Sequence, residues 1–297
     1  MSGRFLAWIN AMRWQYYPTT FLVLFVGVSV SVYEGLDSYV VILWMGLGNF
    51  LLHCSCSLIN EYTDFVTGAD LVEYPQMSWK ATGGSKVLVD QLVKPQNVLV
   101  VSLLLFFGSV CIWVVLGAKS GYVLVLMLII SLGVTYLYSA AVSKGGFFYV
   151  REILLTFGAV PLLVVAVVKI LSGRYSITGL MAGLIVGTQM MNYLLYHGLI
   201  DLEADFKSGK LRLTRVLGSE RTLLISEVLI VGTFVGLAVF LWFNVFPLGC
   251  ILCFGLVPLA VKIVHAEMKK MNLLERYTEV VLLFVVSALL LSVGFWL

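Results

Sequence analysis

Residues 50–70 read FLLHCSCSLINEYTDFVTGAD, a long apolar run that ends in a cluster of acids. Within it Asn60 and Asp64 are four residues apart, and Asp70 follows six residues later. A second apolar run ends at residues 201–205, which read DLEAD and repeat the four-residue spacing. Ionisable groups are costly beside a bilayer, so acids at two such boundaries are better explained by divalent cations than by solubility. The pattern predicts metal-dependent chemistry in a membrane protein.

The composition of the whole chain indicates a polytopic membrane protein. The chain has 297 residues, is 61% hydrophobic and only 12% charged, and has a mean hydropathy of +1.01. An average soluble domain carries about 25% charged residues, roughly twice as many. A membrane-spanning helix needs about 20 mostly apolar residues. Nine stretches fit, with centres near Val26, Leu47, Phe106, Met127, Val160, Leu184, Val231, Leu256 and Ser287.

We therefore expect an all-α fold of nine transmembrane helices around a central cavity, forming a single domain over residues 1–297. The basic residues predict its orientation, because Lys and Arg accumulate on the cytoplasmic side of a membrane. With a cytoplasmic N-terminus, three of the 19 basic residues fall on the outer side, namely Lys119, Lys169 and Arg174. Both acidic stretches then lie on the cytoplasmic face of the cell membrane, after the second and sixth spans.

The spacing of the acids predicts how they share a site. On a helix, Asn60 and Asp64 project from one face, one turn apart, and a chain turning at Gly68 brings Asp70 back towards them. Converging carboxylates at the edge of an apolar bundle repel each other unless cations neutralise them. Magnesium prefers oxygen ligands and is commonly shared with substrate phosphates. We expect Mg²⁺ ions clamping a diphosphate, with Asn60, Asp64, Asp70, Asp201 and Asp205 as metal ligands and Asp64 and Asp201 as the catalytic acids.

The alternative is that these acids are ordinary solvated loop charges, balanced by Lys207, Lys210 and Arg212. Either stretch alone is compatible with that interpretation. Two stretches with the same spacing, at matching helix ends on one membrane face, favour the metal site.

Basic and hydroxyl groups near the acids are candidates for phosphate binding. Residues 82–86 read TGGSK, a glycine turn in which Ser85 is a predicted N-cap for a short helix from Lys86 towards Pro95. A helix start offers free N–H groups to anions, so Lys86 would meet a phosphate there. Tyr138, Ser139 and Lys144 follow the fourth span and would contact the same ligand. The alternative is that they are interfacial anchors.

The motifs together resemble the UbiA superfamily of intramembrane prenyltransferases. Residues 60–70, NEYTDFVTGAD, are similar to its first aspartate-rich motif, and residues 201–210, DLEADFKSGK, to its second. Residues 138–140, YSA, with Arg151-Glu152 further on, are similar to a third conserved segment. The position of the third acid resembles the branch that prenylates 1,4-dihydroxy-2-naphthoate for menaquinone. His197-Gly198 and Ala141 depart from the Asn-Asn pair and the Pro that are usual in the family.

This resemblance implies a prenyltransferase that uses Mg²⁺ to bind the diphosphate of an isoprenyl donor. The allylic cation formed when that diphosphate leaves would be attacked by an aromatic ring, in quinone biosynthesis. For the acceptor, Arg13 is a candidate to bind a carboxylate, and His197 or Tyr193 to orient a phenolic hydroxyl. The expected partners are a prenyl diphosphate, a small aromatic acceptor and the lipid bilayer, with no nucleic acid.

Three other functions fit parts of the pattern. An ion-coupled secondary transporter also carries acids within a membrane, but usually near its midplane. A cytidine-diphosphate-alcohol phosphotransferase uses clustered aspartates, and a UbiA-like enzyme with a non-aromatic acceptor would transfer the prenyl group to a glycerol phosphate. The acids after the second and sixth spans also suggest that spans one to four and five to eight are two related halves.

Overall fold

The computed structural model of the chain describes residues 3–36, 39–72, 84–140, 150–265 and 272–297, and contains helices but no strand within these ranges. Twelve α-helices follow one another in order. They are α1 Gly3–Ala11, α2 Tyr17–Tyr33, α3 Val40–Thr67, α4 Pro95–Ala118, α5 Tyr122–Ser139, α6 Arg151–Ile153, α7 Val160–Ser172, α8 Ile177–Ile200, α9 Leu202–Ser208, α10 Leu213–Trp242, α11 Val257–Val264 and α12 Leu273–Gly294.

Each of the nine predicted span centres lies within a helical segment of the described chain. Six of these segments are long and apolar enough to cross a membrane: α3, α4, α5, the continuous segment from α6 to α7, α10 and α12. Helix α2 and the segment Leu248–Val264, which begins as a 3₁₀-helix and ends as α11, are apolar but shorter. The all-helical prediction is confirmed, since a helix satisfies its own backbone groups where lipid cannot.

Helix α8 has the length of a span, and most of its residues, including the polar Gln189 and Asn192, are buried inside the bundle. It packs against α2, α7, α10 and α12. Gln189 donates to the hydroxyl of Ser287 at 2.6 Å, and Ser226 donates to the side-chain oxygen of Asn192 at 2.8 Å. Such pairing is required of polar groups buried away from water. Helix α8 is therefore a buried helix that connects α2, α7, α10 and α12, whereas α3, α4 and α5 pack on one another.

A π-helix, Leu154–Ala159, joins α6 to α7 and passes very close to α8. A Cβ atom added at Gly187 of α8 would lie 2.0 Å from the carbonyl oxygen of Thr156, so only glycine permits this crossing. Ser131 of α5 donates to the carbonyl oxygen of Ala159 at 2.8 Å, which connects α5 to the end of the π-helix. Wide turns of this kind occur frequently at functional sites.

The two acidic stretches lie at the ends of α3 and α8. Helix α3 ends at Thr67, and Gly68 adopts the left-handed conformation, with φ of 76°, as the sequence predicts. The chain then forms a short 3₁₀-helix, Ala69–Leu71, which packs against α9, the helix that follows α8. The loops after α3 and α8 therefore meet at one end of the bundle.

Candidate active site

A cavity of about 250 Å³ lies between α2, α3, α5 and α8, beside the two loops that carry the acids. Its walls mix apolar side chains with a dense set of charged and polar ones. The charged and amide side chains that line it are Arg13, Asn60, Asp64, Arg151, Asp201, Lys210 and Arg212. Asp64 and Asp201, which are far apart in the chain, therefore contribute to the walls of one cavity.

The first acidic stretch places two side chains in the cavity and one behind it. Asn60 and Asp64 face the cavity from α3, one turn apart, as expected from their spacing. Asp70, on the 3₁₀-helix after Gly68, is only 1% exposed, and its Oδ2 has no hydrogen-bond partner among the described residues. Burial, with the charges of Glu61 and Asp64, raises the pKa of Asp70 to about 7. This acid is poorly neutralised by the chain itself.

The second acidic stretch is arranged around Arg212. Asp201 ends α8 and precedes α9, and Asp205 lies one turn further on, with both carboxylates buried. Arg212 Nη1 lies 3.1 Å from Oδ2 of Asp201, and its Nε lies 3.1 Å from Oδ2 of Asp205. Burial raises the pKa of Asp205, although Arg212 opposes that shift. Oδ1 of each aspartate has no hydrogen-bond partner among the described residues.

An ion pair joins the two stretches across the cavity. Nζ of Lys210, which follows α9, lies 2.6 Å from Oδ1 of Asp64 on α3. Both side chains are largely buried, with 9% and 8% exposure. The second acidic stretch therefore supplies the counterion of the first.

The residues present fit a divalent cation. Within the described ranges no three His, Cys, Asp or Glu side chains lie close enough together to share an ion, because Lys210 and Arg212 lie between the acids. The expectation that the carboxylates converge directly is therefore not met in this arrangement. The donors are nonetheless all oxygens, which magnesium prefers, and three carboxylates each leave a buried oxygen without a hydrogen bond: Asp70, Asp201 and Asp205.

Comparison with protein families decides the class of the chain. The model of the UbiA prenyltransferase family matches residues 17–276, which is most of the sequence. The chain belongs to the UbiA prenyltransferase family. Members of this family are prenyltransferases, so the chain is an enzyme of that class, and the transporter interpretation is wrong. Among curated protein sequences, none matches this chain.

Solved structures of UbiA proteins share its fold. A homologue from Archaeoglobus fulgidus bound to GPP and Mg²⁺ has a TM-score of 0.62, with 14% identity over 97% of this chain and 99% of its own. The apo homologue from Aeropyrum pernix K1 has a TM-score of 0.64, with 13% identity over 93% and 96%. A structure from work on digeranylgeranylglyceryl phosphate synthase in membranes has a TM-score of 0.65, with 14% identity over 98% of each chain.

Most of the predicted substrate-binding residues line the UbiA cavity of this chain. Arg13, Tyr138, Ser139 and His197 are among the lining residues, whereas Lys144 lies outside the described residues. The imidazole Nε2 of His197 is 3.6 Å from Oδ2 of Asp201, and its Nδ1 has no hydrogen-bond partner among the described residues. The ring also stacks on Tyr193, with centres 6.0 Å apart and planes 8° from parallel.

The short helix predicted from Lys86 towards Pro95 is wrong. No helix follows Ser85, since residues 87–93 form turns and Lys86 has a φ of 62°. The ammonium of Lys86 donates to the carbonyl oxygen of Asp70 and, at 3.5 Å, to that of Val72, and it does not line the cavity. Lys86 therefore stabilises the turn after α3, because its ammonium binds two backbone carbonyl oxygens of that turn.

Glu61 is a site residue that its sequence pattern did not single out. It is fully buried on α3, and its Oε1 accepts hydrogen bonds from Nε and Nη2 of Arg13 at 3.0 and 2.6 Å. The amide and the hydroxyl of Ser85 each donate to this carboxylate at 2.8 Å. The sequence did offer a reason to expect a partner for Glu61. An acid at this end of an apolar helix must either be solvated or pair with a cation.

His53 is a second residue that the sequence did not indicate. Its Nε2 lies 3.2 Å from the carbonyl oxygen of Arg13, and its Nδ1 lies 3.0 Å from the hydroxyl of Thr20. A carbonyl can only accept, so Nε2 is the protonated nitrogen and Thr20 donates to Nδ1. Arg13 itself has a left-handed backbone, with φ of 49°. His53 and Glu61 therefore hold the backbone and the side chain of the same arginine.

Arg151 forms the wall on the side of α5. Its guanidinium lies 5.2 Å from the centre of the Tyr138 ring, and its Nη1 donates to the carbonyl oxygen of Tyr138 at 3.5 Å. Its Nε lies 3.3 Å from Oε1 of the neighbouring Glu152. Arg151 and Leu155, one turn apart, both line the cavity, and the π-helix that begins at Leu154 sets the direction in which they point.

Proposed function

We propose that this enzyme transfers an isoprenyl group from a prenyl diphosphate to a small aromatic acceptor, with Mg²⁺, in quinone biosynthesis. The observation that carries the proposal is the single cavity that joins Asp64 and Asp201, with Lys210 and Arg212 beside them. Two acidic stretches and two cationic side chains in one cavity suit a ligand that combines metal ions with phosphate groups.

In this proposal the metal ligands are Asn60, Asp64, Asp70, Asp201 and Asp205. Bound Mg²⁺ would neutralise charge on the departing diphosphate, which is its usual contribution to such chemistry. The protein groups act around that site. The hydroxyls of Tyr138 and Ser139 and the guanidinium of Arg151 line the wall where the phosphates would lie, and would donate hydrogen bonds to them.

The rest of the cavity suits the prenyl chain. The lining stripe of α8 runs from Asp201 through His197, Tyr193 and Leu194 to Met190. At about 1.5 Å per residue, the eleven rises from Met190 to Asp201 correspond to about 16 Å. Leu52, Leu155 and Met190 make the inner part apolar. An apolar lining excludes water, which would otherwise quench the allylic cation left when the carbon–oxygen bond breaks.

We propose 1,4-dihydroxy-2-naphthoate, the menaquinone-pathway substrate, as the acceptor class. Its electron-rich ring would attack the cation and regain aromaticity by losing a proton or its carboxylate. Arg13 is the residue we expect to face that carboxylate, because its backbone and side chain are both held at the cavity wall. His197 would orient a phenolic hydroxyl, since its Nδ1 has no partner among the described residues.

We also propose that the cavity faces the cytoplasm from the cell membrane, with the N-terminus on the same side. The distribution of basic residues supports this orientation, because three of the 19 fall on the opposite side. Accessibility labelling of single cysteines in whole cells tests it. The expected result is that an impermeant reagent labels a cysteine at position 119 or 174 but not one at position 207, whose Lys207 side chain is 63% exposed on the opposite predicted side, and the reverse pattern would overturn the orientation.

The function is tested by incubating the purified protein with Mg²⁺, geranylgeranyl diphosphate and a panel of acceptors. The panel contains a dihydroxynaphthoate, a hydroxybenzoate and a glycerol phosphate, with product masses as the readout. We expect a prenylated naphthoate, loss of turnover in EDTA, and recovery with added Mg²⁺. A product formed only with the glycerol phosphate would contradict the aromatic acceptor and support the alternative, a prenyl transfer to a glycerol phosphate.

A further inference from the structure

Lys210 lies at the point where the two acidic stretches meet, and it is the residue whose chemistry the proposed reaction has not used. Its ammonium is 2.6 Å from Oδ1 of Asp64, in a pair with less than a tenth of either side chain exposed. Lys210 also lines the cavity. It is therefore positioned both against a proposed metal ligand and against the space for the donor.

The main chain of Lys210 is fixed, whereas its side chain is long and can rotate. The carbonyl oxygen of Lys210 accepts from Nη1 of Arg215 at 2.9 Å, and the same nitrogen lies 3.3 Å from the carbonyl oxygen of Asp205. The guanidinium of Arg215 in turn lies 4.7 Å from the centre of the Phe206 ring. A lysine side chain is a compact charge on a flexible four-carbon stem. Its ammonium can therefore change partner while the loop stays in place.

Arg212 is held in a different way. Two of its nitrogens contact two carboxylates, those of Asp201 and Asp205, so that moving it breaks both contacts at once. Among the described residues, Lys210 has a single carboxylate contact, at Asp64. Of these two cations, Lys210 is the one that a competing cation at Asp64 would displace.

An ammonium and a divalent cation cannot both contact the same carboxylate oxygen, because like charges repel strongly at the edge of an apolar bundle. Once displaced, the ammonium needs another anion, since an unpaired buried charge is costly. The nearest new anion would be the diphosphate of the donor, which shares the cavity in the proposed function. Asp64 is thus available to Lys210 only while no metal is bound, and the diphosphate only while the donor is bound.

We propose that Lys210 is an exchangeable counterion: it neutralises Asp64 when the site is empty, yields that carboxylate to a divalent cation, and then binds the donor diphosphate. This rests on the proposed function. It follows that metal and donor bind cooperatively, because the donor offers the displaced ammonium a new partner. The empty enzyme then has a low affinity for metal, and the donor raises it.

The test measures metal binding without any substrate. Lys210→Met removes the charge and keeps most of the stem, and we expect it to tighten Mn²⁺ binding about tenfold, as measured by electron paramagnetic resonance of free Mn²⁺. With saturating Mg²⁺, the same variant should raise the KM for the prenyl diphosphate about tenfold. Lys207→Met is the matched control, because Lys207 is 63% exposed and, in the part of the chain that the structure describes, pairs with the exposed Glu203. It should change neither quantity.

Lys210→Arg keeps a cation and should retain weak metal binding, which separates loss of charge from loss of folding if the methionine variant is unstable. Unchanged or weaker Mn²⁺ binding in Lys210→Met, with normal binding in the wild type, would overturn the exchange and leave the proposed function standing. Absence of Mn²⁺ binding in all variants, with and without donor, would overturn both.

Discussion

The guanidinium of Arg13 donates two hydrogen bonds to a single oxygen, Oε1 of Glu61, from Nε at 3.0 Å and from Nη2 at 2.6 Å. This pair connects the segment before α2 to α3. Ser85, in the loop before α4, also donates two hydrogen bonds to the Glu61 carboxylate. Three parts of the chain that are distant in sequence therefore meet at one buried acid. The wall of the cavity next to Asp64 depends on that acid remaining charged.

Glu61→Gln is expected to destabilise the protein and to weaken turnover. Removing one partner of a buried ion pair costs about 3 kcal/mol, because the remaining charge stays buried. Thermal unfolding in detergent measures the first effect and kcat/KM for the donor the second. Glu203→Gln is the control, since Glu203 is 83% exposed in a surface pair with Lys207. Equal melting temperatures for the two variants would contradict the role of Glu61.

Asp64→Ala and Asp201→Ala are each expected to reduce kcat by at least about 100-fold, because each removes a carboxylate from the proposed metal site. Expression and solubilisation should remain close to those of the wild type. Asp90→Ala, at an exposed position in the turns after Lys86, should retain full activity. Retained turnover in both variants would refute the shared site.

Gly84→Ala tests the contact between the loop before α4 and Asp70. A Cβ atom at Gly84 would lie 2.5 Å from Oδ1 of Asp70, at a residue whose φ is +81°. We expect the variant to displace this carboxylate and to raise the Mg²⁺ concentration needed for half-maximal activity. Gly35→Ala is the control, because Gly35 has a φ of +92° but nothing within 4 Å of an added Cβ. If Gly35→Ala raises the required Mg²⁺ concentration as much as Gly84→Ala does, backbone strain, and not the contact with Asp70, explains the effect.

His53→Leu removes the hydrogen bond to the carbonyl oxygen of Arg13 and leaves that left-handed residue unsupported. We expect a rise in KM for the acceptor with a smaller change in kcat, because Arg13 is the residue proposed to face the acceptor carboxylate. His53→Gln should restore part of the affinity, since its amide can donate to the same carbonyl. His265→Leu is a matched control at an exposed residue whose Nδ1 lies 3.1 Å from the carbonyl oxygen of Val261 in the preceding helix. A change in donor KM alone would argue against this role for His53.

The sequence predicted the helical architecture and the helix ends at which the acidic stretches lie, because both depend on local patterns. Apolar length defines a span, and the four-residue spacing at Asn60 and Asp64 defines a helix face. Gly68 also ends α3 as expected, since only a residue that tolerates positive φ suits that position. These features need no knowledge of which helices are neighbours.

The remaining features of the site arise from contacts between segments that are distant in sequence. The pairing of Glu61 with Arg13, and of Asp64 with Lys210, joins parts of the chain that no local pattern connects. The short helix predicted after Ser85 is absent because Lys86 has a left-handed backbone, with φ of 62°, while the Ser85 hydroxyl accepts from the N–H of Val87 at 3.4 Å and donates to Glu61. Local capping rules do not anticipate such a tertiary partner.

The π-helix at Leu154–Ala159 makes the number of residues in that segment as important as their identity. A π-turn holds one residue more than an α-turn, so deleting a single residue there would restore regular α-helix. The residues of this helical segment that precede the deletion, including Arg151, would then rotate by about 100° around the helix axis. Arg151 would turn away from the Tyr138 ring and from the cavity without itself being substituted. In alignments of this region, a one-residue gap is therefore a change of side-chain direction rather than of loop length.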